Sequence, residues 1–202
     1  MTAVGAPVSR RDFIALAGTS VAAASFLAAC GGDSSAMATK VSEFGAGDVG
    51  ILNYALTLEH LEASFYTALG ESEFMPAKAR TTLEKFGEEE KEHVAKLSEE
   101  VKKLGGHPTS APETDFSLED EKGALELAGT LENLGAAAYL GQLPRIKSDT
   151  VLGTMLSIHS VEGRHAAAVN ELLEKPTTPD GAFAKPATAT AVLAAVAPYM
   201  NG

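Results

Sequence analysis

A chain of 202 residues accommodates one domain with extensions and is long enough to bury a sizeable core. It has no Trp and a single Cys, Cys30, which excludes an intramolecular disulfide and any Cys-x-x-Cys metal or redox motif. A formal net charge of −11 argues against nucleic acid as a partner and suits cations.

The first residues read as an export signal rather than part of the fold. Ser9-Arg10-Arg11-Asp12-Phe13-Ile14 matches the twin-arginine signature, and an Ala-rich apolar run follows over residues 14–29. That run of 16 residues is short of the roughly 20 that a bilayer span requires. Leu27-Ala28-Ala29-Cys30 resembles the bacterial lipobox, which implies lipidation of Cys30 and a membrane anchor. Residues 1–29 are therefore expected to be a signal peptide and 30–47 a flexible tether that begins Gly31-Gly32-Asp33-Ser34-Ser35.

From there the periodicity is helical, and scarce β-branched alternation makes the fold class all-α. Helix 1 is expected over 48–69, stopped by Gly70, with Leu52, Ala55, Glu59, Glu62, Tyr66 and Leu69 along its buried stripe. Helix 2 opens near Pro76 and closes at Leu104, with Leu83, Phe86, Glu90, His93, Leu97 and Leu104 on its stripe. Residues 105–116 form a connection. Helix 3 is expected to start in a capping-box pattern, Ser117-Leu-Glu-Asp120, and to stop before Pro144. Leu118, Leu125, Ala128, Glu132, Gly135 and Tyr139 follow its inner face. Helix 4 runs from Ser148 or Asp149 to about Glu174, with Val151, Met155, Ile158, Glu162, His165, Val169 and Leu172 in its stripe. The bundle thus spans 48–175, and 176–202 is a loop followed by a short C-terminal helix.

The carboxylates and imidazoles sit where such stripes ask for Leu or Ile. Glu59 and Tyr66 are seven residues apart, as are Glu132 and Tyr139, while Glu90-x-x-His93 is matched by Glu162-x-x-His165. The offsets between the two sets are 73 and 72 residues, so one helix hairpin is used twice. At ~1.5 Å per residue, all four Glu positions lie about 17–21 Å from their own hairpin turns, in one layer. No Lys or Arg shares the stripes to balance these groups, so a buried ion-pair network fails on charge, and bound metal is the reading that remains.

One Glu from each of two helices plus Glu-x-x-His from the other two resembles the ligand set of the ferritin-like family. The matching phrases are Leu52-Asn-Tyr-Ala-Leu-Thr-Leu-Glu59-His-Leu-Glu-Ala-Ser-Phe-Tyr66, Glu132-Asn-Leu-Gly-Ala-Ala-Ala-Tyr139 and Ser157-Ile-His-Ser-Val-Glu162-Gly-Arg-His165. They are similar to the family's exported bacterial and desiccation-related branch. The resemblance implies a ferritin-like four-helix bundle of two hairpins related by a pseudo-twofold, with a long crossover between helices 2 and 3. It implies Glu59, Glu90, His93, Glu132, Glu162 and His165 as ligands of two Fe ions, with Mn as the alternative, since mixed carboxylate and imidazole donors suit both. Dioxygen or hydrogen peroxide would be the reactant, in ferroxidase, peroxidase or catalase-like chemistry. The competing functions are non-catalytic metal handling, or a desiccation- or stress-related envelope protein whose metal only staples the bundle. Homo-oligomerisation stays open.

The remaining polar residues divide around this layer. Tyr66 and Tyr139 are expected to hydrogen-bond ligand carboxylates from facing helices. Glu62 has Gly135 as its repeat counterpart, so the symmetry excludes it from the core set; an extra ligand or a carboxylate on an entry path is the alternative for it. His60 belongs to the surface, His107 to the crossover, and His159 lies three residues before Glu162. In Glu88-Glu-Glu-Lys-Glu92 only Glu90 enters the stripe, and the rest read as a solvated face.

Overall fold

The helical stripes of the sequence close into four long antiparallel helices in a computed structural model that describes residues 40–201; the signal segment and Cys30 lie outside the described residues. The helices are α1 (Gly47–Glu71), α2 (Ala77–Lys103), α3 (Glu121–Gln142) and α4 (Asp149–Leu172), followed by a short α5 (Ala189–Val196). α1 and α2 form one hairpin and α3 and α4 the other, with α1 against α3 and α2 against α4. The core between them is built from Leu52, Leu56, Phe65, Leu97, Ala128, Met155 and Val169, all fully buried.

Caps and turns set the register of these helices. Asp120 and Ser148 accept hydrogen bonds from the backbone of Gly123 and Val151, fixing the starts of α3 and α4. The cap of α3 is therefore Asp120, three residues later than the expected Ser117, and 117–119 belong to the end of the crossover. In the first hairpin turn Arg80 donates to the carbonyls of Gly70, Ser72 and Met75. In the second, Asp48 at the start of α1 accepts from the backbone of Lys147 and Ser148, tying the two hairpins together. Two expected stripe members are exposed: Leu104 lies at the C-cap of α2 and Leu172 in the last turn of α4, where the bundle has already splayed.

The crossover, residues 104–120, is held by the buried side chain of Asn53. Its Nδ2 donates to the carbonyls of Phe44 (3.1 Å) and His107 (3.0 Å), and its Oδ1 accepts from Thr109 N–H (3.0 Å). Residues 40–46 pack here too, with Val41 buried and Phe44 edge-on to Tyr54. A two-residue antiparallel ladder, β1 (Glu113–Thr114) with β2 (Met200–Asn201), joins the crossover to the C-terminal segment. That segment lays α5 on α3, where Ala189, Val192 and Val196 are buried. Gly141 permits the approach, since a Cβ there would stand 2.2 Å from the Ala187 carbonyl. No helix among the described residues is long and apolar enough to cross a membrane.

Candidate metal centre

All six carboxylate and imidazole groups singled out by the repeat meet in one layer at the middle of the bundle. Glu59, Glu90, Glu132 and Glu162 are fully buried, and His93 and His165 nearly so. They fall into two overlapping clusters: Glu59, Glu90, His93 and Glu162 in one, and Glu90, Glu132, Glu162 and His165 in the other. Within each, one ligand atom per residue lies within 4.8 Å of the others. Glu90 and Glu162 belong to both. The Glu-x-x-His glutamates are thus the shared pair, while Glu59 and Glu132 each belong to one end.

Distances inside the layer are those of groups aimed at common points. His93 Nδ1 lies 3.1 Å from Glu59 Oε2, 2.9 Å from Glu90 Oε2 and 3.3 Å from Glu162 Oε1. His165 Nδ1 lies 2.9 Å from Glu90 Oε1 and 3.5 Å from Glu132 Oε2. Yet His165 Nδ1, Glu90 Oε1, Glu132 Oε2 and both Glu162 oxygens make no properly angled hydrogen bond, although all are buried. Unsatisfied buried polar atoms are costly, about 1–3 kcal/mol each. His93 Nδ1 is hydrogen-bonded to Glu59 and Glu90, but the five unpaired atoms are close without alignment, as lone pairs converging on a cation are, so the donor set fits bound metal.

The outer oxygens of the terminal glutamates are taken by tyrosines. Tyr66 of α1 donates to Glu132 Oε1 of α3, and Tyr139 of α3 donates to Glu59 Oε1 of α1. Each phenol thereby turns its carboxylate so that the other oxygen faces inward. The exchange across the bundle follows from the seven-residue Glu-to-Tyr spacing on two antiparallel helices: each Tyr falls level with its neighbour's Glu.

Crowding of buried acids shows in their protonation. Burial, then neighbouring carboxylates, raises Glu59 and Glu62 well above the usual carboxylate range, and burial also raises Glu132. Burial followed by the charge of Glu90 pushes Glu162 up to about 8. Burial opposes charge on Glu90 as well, but the adjacent imidazoles of His165 and His93 outweigh it and hold Glu90 down at about 2. Desolvation disfavours charged imidazoles, yet the surrounding carboxylates raise His93 to about 12 and His165 to about 11. Without metal, protons on these groups supply the positive charge that two divalent ions would bring.

Glu62 is buried beside this layer and outside both clusters. Its Oε1 fills the space left by Gly135, where a Cβ would come within 2.8 Å of it and 3.1 Å of Glu162 Oε2. Glu62 is 2 % exposed. His159 is half-buried and tied to the Ala136 backbone, His60 is half-buried and tied to the Thr109 backbone, and His107 is exposed. None of the three joins the clusters. The residue that sequence reasoning missed is Glu89, assigned to the solvated face, whose Oε2 accepts from His165 Nε2 at 2.7 Å. Its repeat counterpart is Val161, so the symmetry that exposed the ligands concealed it.

The family model of the ferritin-like domain matches residues 47–175, well over half of the chain. No curated protein matches it.

Proposed function

Because the chain belongs to the ferritin-like domain family, we propose that its buried layer binds two iron ions and reacts them with dioxygen or hydrogen peroxide outside the cytoplasm. The carrying observation is the set of buried, close donor atoms shared through Glu90 and Glu162, five of which have no aligned hydrogen bond. Glu59 and His93 would complete one position, Glu132 and His165 the other. Held there, two Fe²⁺ ions would supply the two electrons that, with two protons, take one hydrogen peroxide to two waters and leave two Fe³⁺.

The chain's own residues prepare that chemistry in three ways. Tyr66 and Tyr139 hold the terminal carboxylates in a single orientation. Four carboxylates nearly cancel the charge of two divalent ions, so ion pair and protein form a near-neutral buried unit. Val192 and Val196 of α5, with Leu58, Leu61, Leu131 and Leu134, wall off Glu62 and Gly135 from water.

The test is to strip the protein of metal, add Fe²⁺ without oxygen, and then admit oxygen or peroxide. Two ions per chain and ferric absorbance appearing faster than in buffer, both lost in Glu90→Ala and His165→Ala, support the reading. Two ions bound without accelerated oxidation shift it to metal handling or structural stapling, and no binding removes the centre altogether. Export and anchoring rest on the Arg10–Arg11 signature and Cys30. They predict that the wild-type protein is in the membrane fraction and that Cys30→Ala releases it.

A further inference from the structure

The ligands obey the repeat, and the residues that cover them do not. His165 Nε2 donates to Glu89, and its ring stacks on Phe86 at 4.0 Å and 24°. With Nε2 committed to a carboxylate, Nδ1 is the nitrogen left facing Glu90 and Glu132, an arrangement that fixes an imidazole and strengthens it as a metal ligand. One repeat later, Phe86 is replaced by Ile158 and Glu89 by Val161. Neither can stack or accept a hydrogen bond. His93, the twin of His165, accordingly has no protein partner on Nε2 among the described residues.

What lies outside His93 is an open groove of about 610 Å³ between α2 and α4. α2 contributes Glu92, His93 and Lys96 to its lining. α4 contributes Ile158 and Val161 with the small or hydroxyl-bearing Thr150, Gly153, Thr154 and Ser157. Ser157 stands where the first half has Lys85, the residue that pairs with Glu89 over His165. The His93 side chain is 11 % exposed and that of His165 only 3 %.

We propose that the two metal positions are unequal: the His165 position, oriented by Glu89 and covered by Phe86, keeps a resident divalent cation, whereas the His93 position exchanges its cation with solvent through the α2/α4 groove. The inference rests on the metal-centre reading above and adds which half is loaded from outside. A hydrated divalent ion fits this entrance, because the Glu92 carboxylate and the hydroxyls of Thr154 and Ser157 that line it can accept hydrogen bonds from the ion's water shell, while Lys96, also in the lining, is paired with Glu99 and Glu100. Glu89 acts here as a positioning residue, through His165.

Co²⁺, followed by calorimetry and its visible spectrum in the metal-stripped full chain, tests this without any turnover. Two binding steps are expected, separated by about tenfold or more. Glu89→Gln, which keeps the side-chain volume, weakens the tighter step by about 10–100-fold and leaves the weaker step in place. Val161→Glu, which restores the missing carboxylate beside His93, tightens the weaker step. Gly153→Phe adds bulk where a Cβ meets nothing within 4 Å, so the fold has room for it. It slows release of the weakly held Co²⁺ to excess chelator and leaves the tighter step unchanged. Two steps of equal affinity, or a Glu89→Gln effect confined to the weaker step, overturn the inequality while the centre stands. An unchanged release rate in Gly153→Phe overturns the groove as the route. Absence of any Co²⁺ binding overturns the metal-centre reading itself.

Discussion

At the level of the carboxylate layer the α1/α3 face and the α2/α4 face of the bundle are opposites. On the first, α5 packs Val192 and Val196 over Leu58, Leu61, Leu131 and Leu134, and only a void of about 10 Å³ remains beside Glu62 and Gly135. On the second, no element among the described residues crosses between Glu92 and Thr150, and the groove of about 610 Å³ reaches His93. A symmetric set of buried carboxylates and imidazoles therefore sits in an asymmetric solvent environment. The dry face raises the cost of unbalanced charge and so favours tight cation binding. The wet face supplies the way in.

The largest way to break this contrast is Gly135→Leu. A side chain there displaces both Glu62 and Glu162 from the dry face, so binding of two Co²⁺ ions is lost and stability falls by about 3 kcal/mol. Chemical denaturation and metal titration read the two effects. Next comes pH. In the folded metal-free chain Glu162 keeps its proton up to about 8, and Glu59, Glu62 and Glu132 are raised too. The unfolded chain releases those protons near the ordinary carboxylate value of about 4.3. The native state thus binds more protons, and stability falls as pH rises from 5 to 8. His93 and His165, raised to about 12 and 11, act in the same direction from about pH 6.5 upward. Melting of chelator-treated protein should therefore be lower at pH 8 than at pH 5, with added metal reversing the trend because binding displaces the protons. A melting temperature that climbs with pH without metal would contradict this charge balance.

A smaller effect sharpens the symmetry of the ligands themselves. Tyr139→Phe and Tyr66→Phe each leave one buried carboxylate oxygen without its donor and should cost about 1–3 kcal/mol apiece, as measured by denaturant unfolding. Similar values for the two variants support the crossed pairing; a marked difference would show that one phenol is only packing. Smallest is the pair that compares the faces directly. Val192→Ala under the dry face should cost about 1–2 kcal/mol for the apolar groups removed. Ser157→Ala on the groove wall should stay within about 0.5 kcal/mol.

Much of the ligand layer was legible because it is written in helix-internal distances. Glu90 and His93 project together since three residues make nearly one turn, and the repeat offsets of 73 and 72 matched each ligand with a twin. The crossed tyrosines were legible in kind, as donors to facing carboxylates, but which carboxylate each meets was not. Glu89 was illegible for a different reason. It stands one residue before a stripe position, at the edge of α2, and becomes significant only because α4 delivers His165 to that edge from 76 residues away. The expected cap at Ser117 failed because 113–115 are drawn into pairing with the C-terminal segment and the chain enters the helix only at Asp120, whose own side chain caps it.

The sequence by itself determined the four amphipathic helices, their hairpin pairing and the six groups placed at one height, since periodicity and turn residues act within single elements. Tertiary structure decided that Glu90 and Glu162 are shared, that α5 seals one face, and that Glu89 and Phe86 cover one histidine while the other faces a groove. These depend on the rotation and offset of one helix against another. Those variables are set by the packing of the whole core, and no single helix encodes them.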